Sequence, residues 1–130
     1  MGQQQLLLII LGVIVVGIAV AVGITMFQDN AVSANRDAVT NDLVNLASRA
    51  QQYYRRPTAL GGGGSTFTGL TLPKLTAKPT NANGSYTLGA VAATSVPITG
   101  VGIEKGNDNS APINLTMTVL ADSTYITINN

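Results

Sequence analysis

The side chains that carry most protein chemistry are missing here, and that absence frames the question of what the rest can do. The chain of 130 residues has no His and no Cys. Losing His removes the commonest general base and the commonest metal ligand together. Losing Cys removes thiolate nucleophiles, disulfides and Cys-based metal sites. Asp, Glu, Lys and Tyr remain, but charged residues make up only 10% of the chain, against a usual share of about 25%. The composition argues against an enzyme and against a cofactor or metal site. Seven basic and six acidic residues nearly cancel, and no basic stripe is present, so no nucleic-acid partner is expected.

Three local patterns invite a chemical reading. Gly61 to Gly64 is a run of four glycines followed by Ser65. A phosphate-cradling loop needs a strand before it, a helix after it and a Lys-Ser/Thr pair, and none of these is present. A flexible connector is the default for such a run. Asn83-Gly84-Ser85 and Asn114-Leu115-Thr116 fit the N-glycosylation acceptor pattern, although the first also reads as a turn and the second as a strand. Six aromatic residues, Phe27, Tyr53, Tyr54, Phe67, Tyr86 and Tyr125, are too sparse for a stacked conduction path.

The elements around these residues are organised by Leu6 to Phe27, which contains no charge and only Thr25 as a hydrogen-bonding side chain. About 20 apolar residues in a helix cross the ~30 Å hydrocarbon core of a bilayer. A secretory signal peptide is one reading, with Ala19-Val20-Ala21 as the cleavage site, but no basic side chain precedes the run and it continues past Ala21. A conventional single-span anchor is a second, with only Arg36 nearby to orient it by charge. The third is a helix that begins in the membrane and later packs against copies of itself.

Neither Pro nor Gly interrupts Gln28 to Arg56. Val32, Val39, Leu43, Leu46, Ala50 and Tyr53 form a narrow helical stripe, widened by Ala47 and Tyr54. Asn35, Asp37, Asn41, Asn45, Ser48 and Gln52 are assigned to the opposite, solvent side. Asp29 and Asp37 near the start and Arg49, Arg55 and Arg56 at the end suit the helix dipole, and Pro57 marks the stop. The two stretches therefore predict one helix of about 50 residues, roughly 75–80 Å long. Gly12, Gly17 and Gly23 do not form GxxxG. They read as small residues that let neighbouring helices approach, with Gly23 also a candidate weak point where the helix can loosen.

Pro57 to Asn83 reads as a connector, with Phe67, Leu70, Leu72 and Leu75 pinning its later part to the helix or sheet. Strand patterns follow. Tyr86, Leu88, Ala90 and Ala92 alternate with Thr87, Gly89, Val91 and Ala93; Ile98, Val101 and Ile103 form a second run. Leu115, Met117 and Val119 alternate with threonines, and Ile126 and Ile128 with Tyr125 and Thr127. Turn signals separate these runs, so an antiparallel meander of three or four strands is expected. The fold class is α+β: a long N-terminal helix, apolar then amphipathic, packed on a small antiparallel sheet. The predicted organisation is an apolar half-helix over 1–27, an amphipathic half-helix over 28–56, a glycine-rich connector over 57–83 and the sheet over 84–130.

This order of parts, together with the run Asp42-Leu43-Val44-Asn45-Leu46-Ala47-Ser48-Arg49-Ala50-Gln51-Gln52-Tyr53-Tyr54 ending at Pro57, resembles type IV pilins and the pseudopilins of type II secretion. The resemblance implies a pilin-like lollipop fold and a structural subunit of an extracellular helical filament, a homopolymer that sits in the cytoplasmic membrane before assembly. It implies a prepilin peptidase and an assembly machinery as partners, Gly2 as the candidate leader-cleavage residue, and N-methylation of the new terminus. A pseudopilin-like part of a secretion or DNA-uptake machine is the alternative it implies, and a membrane-anchored binding domain is the alternative from the residues alone. The filament core would be carried by Gln5, Leu6, Leu8, Ile10, Ile14, Val16, Ile18 and Val20. Cleavage after Gly2 would make Gln3 the new terminus; with Met1 as the mature first residue, Gln5 stands where the family carries a glutamate, and Val22 and Gly23 where it carries a proline, and in either case the glutamate is absent. A neutral Gln is cheaper to bury than a carboxylate and still donates and accepts hydrogen bonds.

Overall fold

The computed structural model describes residues 2–130; Met1, whose retention or removal the sequence leaves open, lies outside the described residues. Helix α1 runs unbroken over Gln3–Arg55, about 80 Å at 1.5 Å per residue. It has no proline to interrupt it, and it passes through Gly12, Gly17 and Gly23 without a break. Arg56 leaves the helix in an extended conformation while its N–H still donates to Gln52 O at 3.0 Å.

The glycine run expected as a connector is hydrogen-bonded to the end of the helix. The last carbonyls of a helix have no partners within it, and this run supplies them. Gly63 N–H donates to Tyr53 O at 2.8 Å, Ser65 N–H to Tyr54 O at 2.7 Å, and Gly64 N–H to Arg56 O at 2.9 Å. A Cβ at Gly63 would collide with Thr66 O, so the loop folds back over the helix end only because these positions lack side chains. One turn of helix, α2 (Leu72–Leu75), follows. Phe67, Leu70 and Leu75 are buried in the core, and Leu72 is half-buried.

Five strands form an antiparallel meander in the order β1-β2-β3-β4-β5: β1 (Thr80–Asn81), β2 (Gly84–Leu88), β3 (Ser95–Lys105), β4 (Pro112–Leu120) and β5 (Thr124–Ile128). The sheet thus exceeds the expected strand count by the two-residue β1. The alternation expected to continue through Ala90–Ala93 stops at Leu88, and those alanines are in no strand. Gly89 N–H bonds to Pro97 O and Ala92 N–H to Ser95 O instead, so they close the connection to β3.

One face of the sheet lies against the C-terminal half of α1. From the helix come Val39, Leu43, Leu46, Ala47 and Ala50; from the sheet come Tyr86, Val96, Ile98, Ile113, Leu115, Met117 and Val119. Val32, Tyr53 and Tyr54 pack at the margin. Tyr54 meets Phe67 with ring centroids 4.8 Å apart. The run Ile98, Val101, Ile103 does not share one face. The inward residues of β3 are Val96, Ile98, Gly100 and Gly102, while Ile103 is 65% exposed. Helix α1 crosses close at this point. A Cβ on Gly100 would lie 2.8 Å from Val39 Cγ1 and 3.1 Å from the Tyr86 ring, and one on Gly102 would collide with Asn35 Oδ1. The outward face carries a row of threonines, Thr87, Thr99, Thr116 and Thr127, directly opposite one another in register. On β5 every residue is exposed: Ile126 and Ile128 share the side of Met117 and Leu115 by register, yet α1 does not reach far enough to cover them.

Candidate functional site

Two regions stand out, an uncovered apolar surface and a polar seam between helix and sheet. The first is the N-terminal half of α1. Sixteen large apolar side chains between Leu6 and Phe27 are each more than half exposed, and none of the helical window that passes for a membrane span is buried. Leu6, Leu8, Ile10, Ile14, Val16, Ile18 and Val20 are all among these sixteen. They are distributed around the whole circumference of the helix, since they recur at spacings that include 2 and 4. Gln5 is exposed one turn into the helix, and its N–H donates to Gly2 O at 3.2 Å. Gly2 is extended, at φ −82° and ψ 162°, and is the N-cap. Gly23 sits inside regular helix; across that turn Thr25 Oγ1 donates to Ala21 O at 3.0 Å.

The glycines of this half pack against nothing among the described residues. A Cβ at Gly12, Gly17 or Gly23 would meet nothing within 4 Å. Each costs the helix about 1 kcal/mol relative to Ala. The space they leave open faces outward, away from the chain's own fold.

The polar seam begins at Asn35. Contrary to the solvent-side placement expected from its spacing, it is 8% exposed and lies in the core stripe. Its Nδ2 donates to Asn83 O at 2.8 Å, and its Oδ1 accepts from Ile103 N–H at 3.0 Å and Glu104 N–H at 3.2 Å. The pairing of β3 with β4 shifts register between Val101 and Lys105, which frees those two amides from the ladder. One side chain therefore ties the helix to both the β1–β2 turn and the irregular stretch of β3. The sequence did carry a signal: the apolar stripe jumps seven residues from Val32 to Val39, and Asn35 fills the vacant helical position between them.

Two turns on, Asp42 Oδ2 accepts from Tyr86 Oη, and from Asn81 Nδ2 and Asn83 Nδ2 at 3.0 Å each. Burial raises the Asp42 pKa, but these three bonds stabilise the carboxylate and leave the net value below the ordinary 3.8. Burial and the adjacent carboxylate together push the Tyr86 phenol well above its usual range. Asp42 and Tyr86 border an open cleft of ≈ 250 Å³ with Asn45, Arg49, Thr76 and Lys78. Arg49 Nη1 is committed to Leu75 O at 2.7 Å. The seam is a fastening for the β1–β2 turn, and neither Asp42 nor Tyr86 was singled out from the sequence as part of it. Asn83 of the first glycosylation pattern is engaged in this seam through Nδ2, and Asn114 of the second lies half-buried within β4.

At the other end of the sheet the β3–β4 hairpin reaches down the helix. Arg36 Nη2 donates to Asn107 Oδ1 at 2.9 Å, and the Arg36 Nε is buried with no partner among the described residues. Comparison of the chain with known protein families, characterised proteins and solved structures finds no match.

Proposed function

We propose that this chain is the structural subunit of an extracellular helical filament of the type IV pilus kind, polymerising through the N-terminal half of α1. The observation that carries the reading is the band of sixteen exposed apolar side chains with nothing in the chain's own fold to cover it. Fully burying a Leu, Ile or Val side chain is worth about 1.5–3 kcal/mol. With half of each already shaded by its helical neighbours, leaving the band in water would still cost more than ~10 kcal/mol, as much as the whole stability of a small domain. A bilayer covers it before assembly, and a bundle of identical helices covers it afterwards. The same surface thus stays out of water throughout. The helix is long and apolar enough to cross a membrane, which supports the first stage. Glycines that leave open space outside the subunit support the second, because small residues let helix backbones approach closely.

Contact between such helices, each offset along the axis from the last, is heterologous and non-closing, which yields a filament instead of a closed ring. The threonine row on the outer sheet face gives an uncharged hydrophilic exterior. In this reading a prepilin peptidase processes the chain beside Gly2, an assembly machine extracts it from the cytoplasmic membrane, and the working location is the cell surface.

The test is a charge in the band. Ile14→Lys puts a cation at the middle of the segment at a cost of about 3 kcal/mol in a membrane or helical core, while the sheet and its core, formed by residues beyond 30, are untouched. Filaments in surface shear fractions should be lost, with near-UV circular dichroism of the subunit in detergent unchanged. Normal filaments from Ile14→Lys would refute the reading. A wild-type chain found only as a membrane-bound monomer or short piston would shift it to a secretion-machine component.

A further inference from the structure

The apolar band and the β3–β4 hairpin fix a height relation that neither shows alone. Phe27 is the last apolar residue of the band, and Gln28, Asp29 and Asn30 follow it. Beyond the hydrocarbon, the headgroup layer is about 5–7 Å thick on each side, which in a helix standing near the membrane normal spans roughly residues 28–32. Strand β3 runs antiparallel to α1: Gly100 faces Val39 and Gly102 faces Asn35. Four helical residues rise about 6 Å and two strand residues about 6.6 Å, so the two elements descend in step. Continuing past Gly102 brings the hairpin tip to the level of the end of the band. In keeping with this, Gly106, Asn107 and Asn109 line one open cleft of ≈ 420 Å³ with Thr25, Gln28, Asp29, Val32, Ser33 and Arg36, helix residues that run from the end of the band to the turns just above it.

We propose that the tip of the β3–β4 hairpin, Asn107 to Ser110, is seated in the lipid headgroup layer while the subunit waits in the membrane. The inference rests on the membrane stage of the function proposed above. The hairpin then acts as a depth stop. The helix cannot sink by another turn without carrying Asn107, Asp108, Asn109 and Ser110 into hydrocarbon, where polar groups are costly. The globular part rests on the membrane surface instead of standing off on a bare helix. Charges around the tip nearly balance, with Asp29, Glu104 and Asp108 against Arg36 and Lys105, so the occupant is a zwitterionic headgroup layer met by hydrogen bonding.

The chain has no Cys, so single-cysteine labelling tests this directly. Full-length Asn109→Cys, Asp122→Cys and Leu11→Cys variants would each carry one environment-sensitive fluorophore in phosphatidylcholine vesicles. The vesicles would contain lipids bearing a nitroxide at the headgroup or at mid-chain. Asn109 is expected to be quenched by the headgroup nitroxide several-fold more than Asp122. That residue lies in the β4–β5 turn beside Gln51, some 35 Å further along the helix. Leu11 is expected to respond to the mid-chain nitroxide. Leu11 quenched while Asn109 is no more quenched than Asp122 would overturn the seating alone. Leu11 untouched by the mid-chain nitroxide would overturn the membrane stage and the seating with it.

Discussion

Replacing Asn35 by Ala probes the one polar side chain that is buried in the core among the described residues. The change removes three hydrogen bonds: to Asn83 O, and from the N–H groups of Ile103 and Glu104. An ordinary hydrogen bond contributes about 0.5–1.5 kcal/mol, but a buried group left without a partner loses about 1–3 kcal/mol. Asn83 O and the two amides are part-buried, and the exposed Ile103 side chain leaves room for water to reach one of them. The expected loss is therefore about 2–4 kcal/mol. For a sheet domain of ~100 residues that lowers Tm by at least ~10 °C. Urea unfolding of the full chain in detergent, followed by near-UV circular dichroism of the tyrosines, measures the loss. Hydrogen exchange locates it: the Ile103 and Glu104 amides should lose protection, while Met117 in the middle of β4 keeps its own until global unfolding. A loss below ~0.5 kcal/mol, or unchanged protection at Ile103, would refute Asn35 as the link between helix, turn and strand.

Three further outcomes follow from neighbouring contacts. Gly100→Val forces a side chain against Val39 and Tyr86 and should cost about 2–3 kcal/mol by overpacking, read as a lowered urea midpoint, with Thr99→Val on the outward face as a near-neutral control. Asp42 has a folded pKa below its ordinary 3.8, so the unfolded chain binds the proton more readily. The stabilisation is fully present above that value and is lost as pH falls through the folded pKa. Asp42→Asn should therefore be less stable than the parent at pH 6, by about 1–2 kcal/mol for the weakened charge-assisted bonds. The gap should close in paired thermal scans as pH falls through the lowered folded pKa; a constant gap would contradict the argument. Gly63→Ala drives a methyl group into Thr66 O and should fray the end of α1, seen as faster exchange at the Gly63 and Ser65 amides with the sheet amides unaffected.

How far the sequence reaches can be judged element by element. Helix α1 was legible almost to its last residue because helix-forming patterns are local: an uninterrupted apolar run, a stripe at helical spacing and a proline at the stop. Strands β2, β4 and β5 were legible for the same kind of reason, a period of two bounded by turn residues. The uncovered band of the candidate site was legible too, since a stretch apolar on all sides has no face to hide. The polar seam was not. Asn35 shows in the sequence only as a polar residue filling a gap in the apolar stripe; its partners are two amides freed by a shift in strand register, nearly 70 residues away, that arrive opposite it.

By itself, the sequence determined that a single long helix would lead into a small antiparallel sheet, with an apolar half extending beyond it, because these follow from periodicity and composition along the chain. Only the tertiary structure decided the inward residues of β3, where the close approach of α1 selects Gly100 and Gly102 over Val101 and Ile103. It alone turned the glycine run into a cap over the helix end, and it alone left Ile126 and Ile128 in solvent at an edge that the helix does not reach. Each of these depends on which distant segment comes to lie alongside, and local pattern carries no record of that.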